Sequence, residues 1–314
     1  MKVLITPRGY ARYGTEAQKR LESLGLELDI NDTGAPLSTD VFKEKAKQAD
    51  AIIVGVDQID ADLIDACPNL KIIVKFGVGT DNIDVAYCQR KGIYVERCIG
   101  TNANAVAEYT IGMLFNCART LSTNVSDVKK GEWKKPTGVE LYNKTIGIIG
   151  FGHIGKLVAN MANGIGMHVQ VYDAFPIPLE VLKSCKAKQC TLPDLLQTSD
   201  YITIHVPLTK ETTGLIGMEE LKTMKESAIL VNASRGGIVK DKDALEALKH
   251  KGIKAYAADV FEDEPPTKEG WQQELLALDS FYLTAHIGSR SQESEINTVN
   301  RATDILYNFF SSQQ

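Results

Sequence analysis

The run Gly150-Phe151-Gly152-His153-Ile154-Gly155 follows the apolar stretch Thr145-Ile146-Gly147-Ile148-Ile149 and opens a helical pattern. Asp173 closes the next apolar run, Val169-Gln170-Val171-Tyr172. Three glycines at this spacing mean little alone, because ordinary tight turns also produce them. Between a strand and a helix, with a carboxylate roughly twenty residues on, they form a dinucleotide-binding turn. Backbone N–H groups and the positive helix end then face a pyrophosphate, while the carboxylate accepts hydrogen bonds from a ribose diol. Gly150, Gly152, His153, Ile154, Gly155 and Asp173 are therefore the expected cofactor contacts. The Asp173 charge repels a 2'-phosphate, and Ala174-Phe175-Pro176 offers no cation to receive one, so the reading is NAD rather than NADP.

A chain of 314 residues suggests about two domains. The first hundred residues alternate the β-rich runs Val3-Leu4-Ile5, Leu26-Glu27-Leu28, Ala51-Ile52-Ile53-Val54, Lys71-Ile72-Ile73-Val74 and Ile93-Tyr94-Val95 with helical stretches such as Glu16 to Ser23. That pattern predicts a parallel sheet covered by helices. A long helical pattern runs from Ala103 to about Leu121, and a second α/β series starts near Thr145, with apolar runs near Val169, Ile202, Ile229, Ala255 and Phe281. A final helix from Ser291 to Phe310 is placed to return to the first domain. The expected fold is α/β, with two doubly wound parallel-sheet domains. A Rossmann NAD-binding domain, 100–288, is inserted into a flavodoxin-like substrate domain made of 1–99 and 289–314.

The balance of 35 basic against 40 acidic residues gives a formal charge of −5, which disfavours nucleic acid or an anionic membrane as partner and leaves small anions open. No apolar stretch approaches the roughly 18 residues of a membrane span, and the start lacks a signal-peptide core, so a cytoplasmic location is expected. The six cysteines form no CxxC pair and lie largely among apolar neighbours, as reduced core thiols do. Cys185 and Cys190 lack identifiable partners for zinc, and no metal is expected.

Four further segments complete the pattern: Lys75-Phe76-Gly77-Val78-Gly79-Thr80-Asp81-Asn82-Ile83-Asp84, Asn232-Ala233-Ser234-Arg235-Gly236-Gly237, Asp259-Val260-Phe261-Glu262-Asp263-Glu264-Pro265 and Thr284-Ala285-His286-Ile287-Gly288-Ser289. With the glycine turn, they resemble the D-isomer-specific 2-hydroxyacid dehydrogenase family in order and spacing over nearly the whole chain, and most of all its phosphoglycerate dehydrogenase branch. The resemblance implies a catalytic set of Arg235, Glu264 and His286, each of which has an independent chemical reason. Oxidising a secondary alcohol removes a proton from oxygen as a hydride leaves carbon, and a histidine can take that proton and return it. A neighbouring carboxylate, Glu264, favours the imidazolium and orients the ring. Arg235 cannot act as a base; its planar fork suits the substrate carboxylate and the developing charge on the adjacent carbonyl.

Singly, each of these residues has a plain structural explanation: a surface arginine, an acidic loop, a histidine that caps or packs. The ordered combination favours chemistry. The resemblance also implies an anion cradle at Val78 and Gly79, a place beside substrate for Asn102, a cofactor-bordering loop at His205, and a nicotinamide contact for Asp259, for which helix capping is the competing role. Substrate would lie in a cleft between the two domains, and a homodimer would form through the nucleotide domains, with Lys129 to Val139 and its Trp133 reaching across.

Two departures from the family pattern are Ala285, where proline commonly precedes the histidine, and Lys240, where an acidic residue is common. In Val54-Gly55-Val56-Asp57 there is no arginine of the kind some phosphoglycerate dehydrogenases use to hold phosphate, and Lys75 is the candidate replacement, with pairing to Asp81 as its structural alternative. The leading expected substrate pair is 3-phosphoglycerate and 3-phosphohydroxypyruvate. Glyoxylate or hydroxypyruvate, D-lactate and branched 2-keto acids are the other small 2-hydroxy/2-keto acid candidates. A non-enzymatic NAD(H)-sensing module is the contrasting class, against which the intact Arg235, Glu264 and His286 set argues.

Overall fold

In the computed structural model, which describes residues 1–267 and 269–312, the chain forms two compact units. One comprises Met1–Asn102 with Arg290–Gln314, the other Ala103–Ser289. The first holds a five-stranded parallel sheet of β1 (Lys2–Ile5), β2 (Glu27–Ile30), β3 (Ala51–Val54), β4 (Ile72–Lys75) and β5 (Tyr94–Arg97), in the order β2-β1-β3-β4-β5. The central strands are apolar at successive positions because helices cover both faces, so the side chains of both pleats are buried. β2 and β5 lie at the edges and are far more polar, yet the runs Leu26-Glu27-Leu28 and Ile93-Tyr94-Val95 mark them.

Helix Gln292–Ser311 belongs to this first unit. Ser291 caps it by accepting the Ser294 N–H at 3.1 Å, and Val299, Ala302, Leu306 and Phe310 join the core beside β1, β3 and β4. Tyr10, wholly buried, fixes the register of that packing through a 2.7 Å hydrogen bond between its hydroxyl and that of Thr303.

The second unit holds seven parallel strands: β6 (Thr145–Ile149), β7 (His168–Tyr172), β8 (Ala187–Gln189), β9 (Tyr201–Ile204), β10 (Ile229–Asn232), β11 (Ala255–Ala258) and β12 (Phe281–Leu283). Their order, β12-β11-β10-β9-β6-β7-β8, reverses between β6 and β9, the switch point at which a doubly wound sheet opens a ligand crevice. β9, β10 and β11 are buried at every position. The helical pattern that starts at Ala103 is helix Ala103–Arg119, which Thr120 ends with a left-handed φ of +49°, and a second helix, Leu121–Lys129, follows it. The first helix packs into the sheet; the second buries none of its residues within the chain. Among the described residues no helix is long and apolar enough to cross a membrane.

Candidate active site

Each glycine of the nucleotide turn has a separate geometric task. Gly150, at φ +93°, lies against the His205 carbonyl, and a Cβ there would collide with it. Gly155 packs on the Gly150 carbonyl, bringing helix His153–Ile165 tight onto β6. Gly152 has open space where its Cβ would be, the room a pyrophosphate needs to approach the helix start. His153 is exposed at that start, whereas Ile154 packs toward the core. Asp173 follows β7 and braces the turn: its carboxylate accepts the Phe151 N–H at 2.8 Å and the Phe175 N–H at 3.0 Å. Each oxygen keeps a lone pair for a ribose hydroxyl. These residues fit a dinucleotide without rearrangement.

His205 follows β9, with its backbone N–H bonded to Ile149 at 2.7 Å. Both ring nitrogens are buried without a partner among the described residues, and burial pushes the imidazole down to about 3. The ring is therefore neutral throughout the physiological range, and its carbonyl, not its ring, shapes the glycine turn.

The three expected catalytic side chains come from the carboxyl ends of three neighbouring strands. After β10, the buried Asn232 folds the chain back: its side-chain oxygen accepts the Ser234 N–H and hydroxyl at 3.1 and 2.7 Å, and its amide donates to the Arg235 carbonyl at 2.9 Å. Arg235 donates through Nη1 to the Ser234 carbonyl at 2.7 Å. Gly236 then sits against the Phe261 carbonyl so closely that any side chain there would displace the loop after β11. That loop carries Glu264, whose Oε1 accepts the Phe261 N–H at 3.1 Å and whose Oε2 lies 2.8 Å from His286 Nδ1. Partial burial opposes ionisation of Glu264, but the His286 hydrogen bond and charge, the Phe261 N–H and the Arg235 guanidinium outweigh it, and the carboxyl is held below its ordinary value. Arg235, Glu264 and His286 thus act on one another within a single unit.

His286 itself has a φ of +52°, a conformation that costs a non-glycine residue on the order of 1–3 kcal/mol. Asp259, 3% exposed, holds it there. The Asp259 carbonyl accepts the His286 N–H at 2.9 Å. Its carboxylate accepts the Ile287 and Gly288 N–H groups at 2.8 and 2.7 Å and the Thr284 hydroxyl at 2.7 Å. Asp259 caps no helix; both oxygens are engaged by the turn that presents His286.

The remaining expected contacts lie in the first unit, along the carboxyl edge of its sheet. Gly77, at φ +144°, turns the chain after β4, and among the described residues neither the Val78 nor the Gly79 N–H has a hydrogen-bond acceptor, which leaves two adjacent donors for an anion. Lys75 reaches inward, with Nζ 2.5 Å from the Gly55 carbonyl and 2.6 Å from Asn82 Oδ1. Asn102 is half-buried immediately before helix Ala103–Arg119. Sequence reasoning missed Asn232 as the residue that folds the Arg235 turn, although an Asn two residues before a Ser in a Gly-rich segment is a readable Asx-turn signal.

Residues 111–288 match the family model described as D-isomer specific 2-hydroxyacid dehydrogenase, NAD binding domain. The D-3-phosphoglycerate dehydrogenase of Methanocaldococcus jannaschii is 39% identical over 299 residues, covering 94% of this chain and 55% of that protein, so the chain spans about half the length of that relative. The glyoxylate reductase of Thermococcus litoralis is also 39% identical, over 81% of this chain and 78% of its own. Among solved structures, D-lactate dehydrogenase from Aquifex aeolicus, complexed with NAD and lactic acid, superposes with a TM-score of 0.84 at 28% identity, over 99% of this chain and 96% of that one.

Proposed function

The chain belongs to the D-isomer-specific 2-hydroxyacid dehydrogenase family, and from that premise we propose that it interconverts a small D-2-hydroxy acid and its 2-keto acid with NAD. The observation that carries this reading is the 2.8 Å contact between His286 Nδ1 and Glu264 Oε2. With Nδ1–H donating to the carboxylate, Nε2 is left to face a reacting oxygen. In the reducing direction Nε2–H donates its proton to the carbonyl oxygen as that oxygen gains charge; in the oxidising direction the neutral Nε2 takes the alcohol proton. Glu264 stabilises the cationic ring and fixes its tautomer. Arg235 receives the substrate carboxylate in its planar fork and polarises the adjacent carbonyl. The bound dinucleotide supplies the two-electron carrier. A sensing module needs the glycine turn and Asp173 but no such proton-transfer pair.

For the substrate, the placement of Lys75 favours one reading. Its ammonium is a strut between Gly55 and Asn82, which supports an unphosphorylated acid of the glyoxylate or hydroxypyruvate kind, the substrate class for which the T. litoralis relative is named. The identity to the M. jannaschii enzyme favours 3-phosphohydroxypyruvate as the second reading. NADH oxidation against glyoxylate, hydroxypyruvate, 3-phosphohydroxypyruvate, pyruvate and 2-ketoisocaproate in parallel separates them. A clear preference for the phosphorylated acid overturns the first assignment, and NADH binding with no turnover on any acid overturns the enzymatic one.

The same reading includes a homodimer. Leu121, Val125 and Val128 lie at helical spacing on a helix with no buried residue, each between 43 and 55% exposed, and Trp133 beyond them is 80% exposed. A second copy of this surface covers such an apolar stripe.

A further inference from the structure

Asp241 is a buried carboxylate for which the proton-transfer scheme has no use. It is 1% exposed and begins helix Asp241–Lys249, yet it does not serve that helix as a cap. Its Oδ1 accepts the hydroxyl of Tyr256, from β11, and its Oδ2 accepts the Glu262 N–H, from the loop beyond β11, each at 3.1 Å. The Asp241 N–H returns a bond to Glu262 Oε1, also at 3.1 Å, closing a reciprocal pair. Glu262 lies two residues before Glu264. Asn232, which folds the Arg235 turn, ends β10, the strand paired with the Tyr256 strand, and its side chain opposes the burial that pushes the Tyr256 hydroxyl up.

We propose that Asp241 is a positioning residue for the reaction, joining the loop that carries Glu264 to the strand ends that carry Arg235 through Glu262, Tyr256 and Asn232. The inference rests on the dehydrogenase reading above. Burial of Asp241 is unfavourable for its charge and pushes the carboxyl up to about 7, with the Glu262 carboxylate adding to the rise. The group is retained there by hydrogen bonds to the two segments it connects. A cap for its own helix would instead aim at that helix's N–H groups. The Gly236 contact with the Phe261 carbonyl brings the same two segments together from the other side, so the Glu264 loop is held between two fixed points.

The test uses Asp241→Ala, Asp241→Asn and Tyr256→Phe in the full chain, with Glu264→Gln as reference. Three quantities are read: kcat for keto-acid reduction at saturating NADH across pH, the NADH dissociation constant by fluorescence, and the 15N resonance of His286 Nδ1, which needs no turnover. Asp241→Ala removes the acceptor of the Tyr256 hydroxyl and of the Glu262 N–H and is expected to lower kcat about 10- to 100-fold, the scale of a misplaced catalytic group. Its pH profile and Nδ1 resonance move toward those of Glu264→Gln, while NADH affinity changes less than about twofold, the dinucleotide turn being distant in sequence and untouched. Tyr256→Phe moves the same quantities in the same direction. Asp241→Asn keeps both bonds, its amide donating to the Tyr256 oxygen and its carbonyl accepting from Glu262, and restores most of the rate.

A wild-type kcat, pH profile and Nδ1 resonance in Asp241→Ala, with only a lower melting temperature, overturns the proposal. So does an Asp241→Asn as impaired as Asp241→Ala. If Asp241→Ala does not fold, Tyr256→Phe decides, and an unchanged Nδ1 resonance there refutes the link. Absence of turnover by the wild-type chain would instead refute the dehydrogenase reading, leaving the Nδ1 measurement to judge the network alone.

Discussion

Asp259 holds the backbone of His286: the Asp259 carbonyl accepts the His286 N–H at 2.9 Å, and its carboxylate accepts the next two N–H groups along the chain. A left-handed histidine is thereby maintained in a segment where no preceding proline restricts the backbone. The engaged oxygens make this carboxylate a scaffold for the turn first, whatever it offers a nicotinamide amide. Asp259→Asn must place an NH2 against one of the two backbone N–H groups, and we expect kcat to fall by about 10- to 100-fold as His286 loses its placement. NADH affinity measured in parallel distinguishes the two roles, because a large loss of affinity at unchanged kcat would make the residue a cofactor ligand instead.

Replacing His286 with alanine should lower keto-acid reduction by about 10²- to 10⁴-fold, the usual contribution of general acid–base catalysis. NADH titrations should be near wild type, since the glycine turn lies on other strands. Arg235→Lys keeps the charge but loses the fork, so its expected signature is a raised KM for the keto acid. Undiminished turnover in His286→Ala would remove the proton-transfer assignment.

Asp173 braces Phe151, and the proposed reading also assigns it the choice of cofactor. Asp173→Ser, which removes the charge and retains an acceptor, should raise the ratio of NADPH to NADH turnover by about tenfold or more, with some loss of NADH affinity. An unchanged ratio in steady-state assays would show that the 2'-phosphate is excluded elsewhere.

The Asp241 carboxyl titrates far above its ordinary value in the folded chain, so the sign of its effect on stability follows directly. The folded state releases this proton less readily than the unfolded one. The favourable contribution is complete below the unfolded carboxylate value of about 4 and is lost as pH rises through about 7. Asp241→Asn has no such loss, and its melting temperature relative to wild type should climb between pH 5 and pH 8. A difference that is flat over this interval in differential scanning calorimetry would place the titration elsewhere.

A charge in the exposed apolar stripe tests the dimer. Val125→Asp, on a helix that buries nothing within its own chain, should convert a dimer to a monomer in light scattering without changing the circular dichroism of the unit. A dimer of undiminished stability would assign the interface to another surface.

The α/β architecture was legible because parallel strands covered on both faces must be apolar at consecutive positions, as in Ala51–Val54 and Ile229–Asn232. The edge strands β2 and β5 carry less of that signal but were still legible, whereas the three-residue β8 carries almost none. Helix Leu121–Lys129 was not legible for a different reason: it buries none of its residues within the chain, so no core-facing stripe marks it. At the site, residue chemistry marked Arg235, Glu264 and His286, because few side chains can bind a carboxylate or exchange a proton near neutral pH.

What holds them was hidden. Asn232, Asp241, Tyr256 and Asp259 are ordinary residues in the linear chain, and their roles exist only because strands remote in sequence end side by side. Lys75 shows the same division: as a letter it is a cation for phosphate or for Asp81, and in the fold its ammonium reaches Gly55 and Asn82. Local pattern and side-chain chemistry determined the sheet type, the nucleotide turn and the candidates for reactive groups. Tertiary structure decided their orientation, since hydrogen bonds between distant segments become possible only after the apolar strands have packed and excluded water.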